Sequence, residues 1–290
     1  MTTDGPRVHE GPPAPASTVL AAWHRWHASA AGRHWHRARE LGLVTHTLAL
    51  AAQQILCTAP LMVALSAVIR RAGGSGPGTV VPRYLGLTGD AASDVEQLFA
   101  GASPSASLDS LLVGAALSLI FGTGVALTFQ RGLELIWGLP PGGVRSLGRQ
   151  ALWLVGLVTY LFVILGAGRS AHRIHAHDHA GLLARVVVQL IASFGFFWWS
   201  QHLLLGARVP WRRLRPGAMF IAAALAILVA VSGVVLPGQI TDEVGDYGLI
   251  GAAFVLTIWL VALSGAVIGG AFIGAAIATA ERVTPPVASP

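Results

Sequence analysis

This chain has 290 residues, of which 54% are hydrophobic and only 11% are charged, so it is unlike an ordinary soluble domain, where about 25% of residues are charged. Its formal net charge of +6 comes from arginine alone, since it has no lysine. The arginines are spread over several short segments, which favours contact with anionic lipid headgroups and argues against a nucleic-acid partner. A single cysteine excludes an intramolecular disulfide.

The N-terminal part of the chain divides into two polar segments. Residues 1–17 are rich in proline and lack the apolar core of a signal peptide, so the sequence predicts a disordered tail. Residues 18–40 mix tryptophan with histidine and arginine, which is typical of an amphipathic helix at a membrane interface. A DNA-contacting basic helix is the alternative for this segment. Residues 281–290 form a short C-terminal tail.

Six stretches without Asp, Glu, Lys or Arg follow, each long enough to cross a hydrocarbon core of about 30 Å as a helix. They are 41–69, 110–130, 150–168, 186–207, 216–241 and 247–280. The sequence therefore predicts an all-α fold, a polytopic membrane helical bundle with six transmembrane helices within residues 41–280. We expect these helices at 43–68, 110–130, 150–168, 184–205, 217–237 and 248–278.

Arginine placement predicts the orientation of the bundle. With a cytoplasmic N-terminus, thirteen arginines fall in cytoplasmic segments and six fall outside. The positive-inside rule then places both termini in the cytoplasm. The contrast is greatest around the fifth predicted helix. The segment ARVPWRRLRPG before it carries four arginines, and the segment after it holds Asp242, Glu243 and Asp246.

Polar side chains in or beside the apolar stretches are candidates for a substrate path, because burying such groups is costly. Arg131 and Glu134 are spaced to pair on a helix. Arg145 and Arg149 either hold a phosphate-bearing headgroup or only set the topology. We expect no enzymatic activity, catalytic residue or cofactor, since HExxH, G-x-S-x-G and Walker A sequences are all absent. The substrate-path candidates are Gln53, Gln54, Gln130, Arg131, Glu134, Arg145 and Arg149.

Two other patterns have simple structural interpretations beside sharper ones. The loop RSAHRIHAHDH offers weak metal ligands in His172, His175, His177 and His179, but we favour a solvated loop and predict no metal site. Small residues spaced by four in the second predicted helix, and the glycines of the sixth, favour close helix packing, within the chain or in a homo-oligomer. The aromatic run 196–199 predicts an interfacial belt.

Three phrases of the sequence resemble the YihY/BrkB family of bacterial envelope proteins. They are RGLELIWGLPPGG, RVPWRRLRPGAMFIAAAL and YGLIGAAFVLTIWLVALSGAVIGGAFIGAAI. The resemblance covers residues 40–280, and it departs from the family pattern in the first predicted helix and the histidine-rich loop. It implies roles in the fold and in helix packing for the matching residues, which are Trp137, Gly138, Arg145, Pro210, Trp211, Pro216, Gly217, Tyr247, Gly248, Trp259 and Gly269.

The resemblance implies a multi-pass protein of the bacterial cytoplasmic membrane that serves envelope integrity, with transport of lipid precursors or small solutes as its activity. Membrane lipids with anionic headgroups are the expected partners. A structural or interaction protein without transport activity is the alternative. A membrane enzyme, which the family's former ribonuclease label would imply, ranks last, because carboxylates are too sparse in this chain for a two-metal site.

Overall fold

A computed structural model describes residues 30–71, 108–143, 146–173, 179–247 and 249–280. Within these ranges the chain forms helices and no strand, which confirms the predicted all-α fold. The helices are α1 Ala30–Glu40, α2 Leu43–Arg71, α3 Leu108–Ile136, α4 Ser146–Arg173, α5 His179–Leu204, α6 Trp211–Tyr247 and α7 Leu249–Ala280.

Among the described residues, four helices are long and apolar enough to cross a membrane. This finding suggests a membrane protein with several crossings. The predicted first and fourth spans are helical as α2 and α5, and α2 contains the shorter apolar stretch Leu43–Thr58. The four qualifying stretches are Leu112–Ile136, Ser146–Ile164, Trp211–Ser232 and Ala253–Thr279.

The outer faces of the helices present large apolar side chains, as expected of surfaces that face lipid. Leu112, Ile191, Ile227 and Ile250 are each more than 60% exposed, and they lie on four different helices. In water such surfaces would be unfavourable, because contiguous exposed apolar patches mark contact with a partner or a membrane.

The helices α2 to α7 form a closed ring. Each packs against the next in chain order, and α7 packs against α2. The helix α1 belongs to a separate unit, Met1–Gly42. Residues 30–40 are helical, and the amphipathic interfacial helix over 18–40 stays a prediction. The tails predicted at 1–17 and 281–290 lie outside the described residues.

Glycines set the closest helix contact in the ring, between α6 and α7. An added Cβ on Gly270 would lie 2.8 Å from the backbone nitrogen of Ile221, and one on Gly274 would overlap the backbone of Gly217. Gly122, one of the small residues spaced by four in α3, also allows close helix packing, because an added Cβ on it would lie 2.7 Å from Cδ2 of Leu154 in α4. These small residues therefore serve packing within the chain.

Candidate functional site

A cavity of about 390 Å³ lies inside the ring. All six helices line it. One lining residue from each, in chain order, is Leu50, Phe129, Tyr160, Phe197, Leu228 and Val267. This volume is within the range of small-molecule sites, about 300–1,000 Å³. The ring thus encloses a space large enough for part of an organic ligand.

The few polar side chains in the cavity wall already bond to the protein. Ser264 donates to Oε1 of Gln54 at 3.2 Å, and Thr58 donates to the Gln54 carbonyl at 2.8 Å. The Tyr160 hydroxyl shares a 2.8 Å hydrogen bond with Ser193, to which Gln189 donates at 3.4 Å. The wall therefore presents mostly hydrocarbon, which suits an apolar ligand segment better than a hydrated ion.

An aromatic layer lines one end of the cavity. Phe129 packs against Trp153 and Phe197 with ring centroids 6.1 and 6.5 Å apart, and Tyr160 stacks on Phe196 at 4.6 Å. Phe196 and Phe197 are only 9% and 7% exposed, so the predicted interfacial belt is wrong for these two. They face the ring interior because that face of α5 is enclosed by neighbouring helices.

A buried polar network lies beyond the aromatic layer, at what we name the loop end of the bundle. There residues 137–143 follow α3 and residues 205–210 join α5 to α6. The side chain of Glu134 is 3% exposed. Its Oε1 accepts hydrogen bonds from Nε2 of Gln130 at 2.9 Å and from the backbone nitrogen of Gly142 at 2.8 Å.

Arg208 neutralises this buried carboxylate and joins the two connections of the loop end. Its Nη2 donates to Oε1 of Glu134 at 2.5 Å. Its Nη1 donates to the Pro140 carbonyl at 2.6 Å and its Nε to the Leu205 carbonyl at 2.7 Å. A buried charge that loses its partner costs about 3–5 kcal/mol, so this pair matters to the fold.

The turn that carries Arg208 has an unusual backbone. Gly206 has a φ of 63° and Ala207 a φ of 59°, which is the left-handed region. For alanine this conformation costs about 1–2 kcal/mol. The strain is tolerated because the turn points the Arg208 side chain back toward α3.

The remaining members of the network lie on α4. Nε2 of Gln150 donates to Oε1 of Gln130 at 3.1 Å and to the Ser146 hydroxyl at 3.3 Å. Trp153, one turn further along α4, donates to the hydroxyl of Ser200 at 2.9 Å. The first turns of α4 are thus joined by hydrogen bonds to α3 and α5.

The structure places the candidate residues unequally. Gln54 lines the cavity, whereas Gln53 faces α3, where its Oε1 lies 2.5 Å from an added Cβ on Gly124.

Gln130 and Glu134 are the centre of the network. The predicted span ending at 130 is too short, because α3 continues to Ile136 and holds Glu134 in its last turns. The predicted pair of Arg131 and Glu134 is present as a 3.9 Å contact.

Some predicted residues lie outside the described part of the chain. They are Arg145, Gly248, His175 and His177, together with the side chains of His172, His179 and Tyr247. The possible metal site of the histidine-rich loop therefore stays a prediction. Among the described residues there is no group of three His, Cys, Asp or Glu that could hold a metal ion.

The residues matching the family motifs serve local structure where they are described. Gly138, with a φ of 63°, lies just past the end of α3, as helix-ending glycines do. Trp211 stacks on His202 at 4.1 Å, and its carbonyl accepts a 2.8 Å hydrogen bond from Trp198.

Among the other motif residues, Gly217 packs against Gly274, and Pro216 lies beside Gly217 in the chain. An added Cβ on Gly269 would meet no atom within 4 Å. Pro210 is exposed, and Trp137 and Trp259 are half-buried.

Arg208 and Gln150 are members of the site that were not predicted from the sequence. One available signal was that Glu134 is the only acidic residue between positions 110 and 177, and none follows between 179 and 241. A lone carboxylate beside arginine-rich segments needs a basic partner. Which of those arginines is the partner depends on tertiary structure.

No family model matches the chain, and no curated protein and no solved structure is significantly similar to it. The fold and the site define a bundle of apolar helices around a cavity, compatible with a multi-pass membrane protein.

Proposed function

We propose that this chain is a multi-pass protein of the bacterial cytoplasmic membrane, of the YihY/BrkB type, that serves envelope integrity by transporting lipid precursors or small solutes. The observation that carries this proposal is the cavity to which all six helices α2 to α7 contribute. In the proposed arrangement α2 and α5 cross the membrane with the four helices of sufficient length. Both termini and the arginine-rich loop end then face the cytoplasm.

The chemistry of the cavity wall favours lipid precursors over small hydrophilic solutes. Oε1 of Gln54, the hydroxyl of Tyr160 and Nε2 of Gln189 are already hydrogen-bonded to other residues. A solute that must leave water would find few free partners, whereas a hydrocarbon chain needs none. Among the described residues that line the wall there is no Asp, Glu, Lys or Arg, so they offer no charged group for moving an ion or a proton. We propose no enzymatic activity and no cofactor.

A structural or interaction protein is the second candidate. The observation that favours it is the set of contacts that the aromatic layer and the Glu134 network form between helices at one end of the ring. If these contacts never open, they prevent passage through the ring. A transport assay on a variant that blocks the cavity and leaves these contacts intact separates the two candidates.

The test uses two neighbouring substitutions on α6. Leu228 lines the cavity, whereas Ile227 is 64% exposed on the outer face. Purified protein is reconstituted in liposomes with fluorescent lipids, and transbilayer movement is followed by quenching from outside. We expect movement with the native chain and with Ile227→Trp, and its loss with Leu228→Trp.

The outcome of the same assay decides against transport in two cases. Movement no faster than in protein-free liposomes, with folded native protein, would favour the structural candidate. Equal activity of Leu228→Trp and Ile227→Trp would remove the cavity from the path. Small fluorescent solutes trapped in the liposomes give the comparison between solute and lipid.

A further inference from the structure

The guanidinium of Arg149 lies between the two connections of the loop end. An added Cβ on Gly206 would be 2.7 Å from its Nη1, and one on Gly142 would be 3.6 Å from its Nη2. Because both positions are glycine, the guanidinium can lie close to the backbone of both connections. A larger residue at Gly206 would collide with it.

Arg149 differs from Arg208 in having no partner within the described part of the bundle. Its Nε is buried without an acceptor, whereas Arg208 uses all three of its nitrogens. A buried N–H of a charged group that lacks an acceptor is costly to the folded protein. Arg149 as a whole is half-buried, and its Nη1 and Nη2 are not among the buried atoms without a partner, so an anion from outside can reach these two nitrogens.

The charge balance of the loop end leaves room for an anion. Residues 130–150 and 200–217 hold seven arginines and a single carboxylate, that of Glu134. This carboxylate is already paired with Arg208. The acceptor that Arg149 lacks therefore does not come from an acidic side chain in these segments.

We infer that Arg149 is a phosphate-binding residue, seated between Gly142 and Gly206 at the mouth of the ring. The planar fork of a guanidinium matches two phosphate oxygens, and its charge strengthens both hydrogen bonds. The phosphate belongs either to an anionic lipid headgroup or to free phosphate. This inference rests on the proposed function and specifies it, since the lipid precursor would carry a phosphate.

The position of Arg149 on α4 connects this site with the cavity. Trp153 and Leu157, both in the cavity wall, follow at intervals of four residues. Residues so spaced lie along one helix face. A molecule with its phosphate at Arg149 therefore has the cavity along the same face of α4, beyond the aromatic layer.

The experiment measures binding to the purified full chain by native mass spectrometry in neutral detergent. The probes are dioleoyl phosphatidic acid, dioleoylglycerol with the same chains and no phosphate, and inorganic phosphate. The variants are Arg149→Gln, Arg149→Lys and, as a matched control, Arg212→Gln, which removes an exposed arginine of the same end. The unfolding temperature of each variant is measured in parallel.

We expect Arg149→Gln to weaken the binding of phosphatidic acid about tenfold, because a charge-assisted contact is lost. Arg149→Lys should bind with an affinity between those of the native chain and Arg149→Gln. Arg212→Gln should have little effect, and dioleoylglycerol should bind all variants alike. Binding of inorganic phosphate that also depends on Arg149 would support the site and assign it to free phosphate.

Two results would overturn the inference. One is equal weakening by Arg149→Gln and Arg212→Gln, which would indicate general attraction to a basic surface. The other is unchanged phosphatidic acid binding in Arg149→Gln, whether or not its unfolding temperature falls. Binding that depends on Arg149 without transport in liposomes would refute the proposed function alone, whereas transport with binding independent of Arg149 would refute this inference alone.

Discussion

The guanidinium of Arg208 meets the carboxylate of Glu134 at 2.5 Å, although 74 positions separate the two residues in the chain. The same guanidinium donates to the carbonyls of Pro140 and Leu205. One side chain therefore holds the end of α3, the connection after it and the turn between α5 and α6. This relationship joins the two connections of the loop end.

Replacing Arg208 should destabilise the bundle strongly. In Arg208→Ala the buried Glu134 carboxylate loses its counter-charge, and we expect a loss of about 3–5 kcal/mol in the free energy of unfolding. The double variant Glu134→Gln, Arg208→Ala should regain part of this loss, since no unpaired charge remains. Unfolding in mixed micelles measures both. A small effect of Arg208→Ala, similar to that of Arg212→Ala, would contradict the importance of the pair.

Two adjacent glycines after α3 should respond differently to the same substitution. An added Cβ on Gly142 would lie 2.5 Å from Nε2 of Gln130 and 2.9 Å from Oε1 of Glu134, whereas one on Gly143 would meet no atom within 4 Å. We expect Gly142→Ala to cost about 1–3 kcal/mol through overpacking of the network. Gly143→Ala should be close to neutral. Thermal unfolding compares them, and equal stabilities would show that the network yields easily.

A second glycine pair tests the contact of α6 with α7. An added Cβ on Gly274 would overlap the Gly217 backbone, which cannot rotate away as a side chain can, whereas Gly269 has open space. Gly274→Ala should therefore lower the unfolding temperature and the yield of folded protein. Gly269→Ala should leave both unchanged. A tolerated Gly274→Ala would mean that the two helices separate at little cost.

Cys57, the single cysteine of the chain, is a natural probe of the cavity that it lines. A small uncharged thiol reagent should label it slowly, because it must first enter the apolar ring, and a charged impermeant reagent should not. Leu228→Trp should slow the labelling further, and Ile227→Trp should not. Mass spectrometry of the intact protein follows the reaction, with Cys57→Ser as the blank. Fast labelling by the charged reagent would indicate a water-filled space.

Hydrophobic pattern and chain length were enough to predict the helices. Uncharged stretches of this length have no other stable form in a bilayer, and each is helical over most of its described residues, with turns at 41–42 and 205–207. The residues at which the helices end were less predictable. The uncharged stretch in α3 stops at Gln130, yet the helix continues to Ile136 because Arg208 satisfies the buried Glu134 carboxylate. The first charged residue after Gln130 predicts the end of the span, but the ion pair of Glu134 with Arg208 allows a charged residue inside the helix.

The candidate site divides in the same way. Local chemistry was sufficient to select Gln54, Gln130, Glu134 and Arg149 as polar groups that need an explanation in an apolar chain. Only the tertiary structure decided that Gln54 faces a cavity, that Gln53 faces a helix, and that Arg208 is the partner of Glu134. The physical reason is that hydrophobicity and helix formation act over neighbouring residues. Cavities, ion pairs and close glycine contacts instead join residues from distant parts of the chain, and they exist only once the ring has closed.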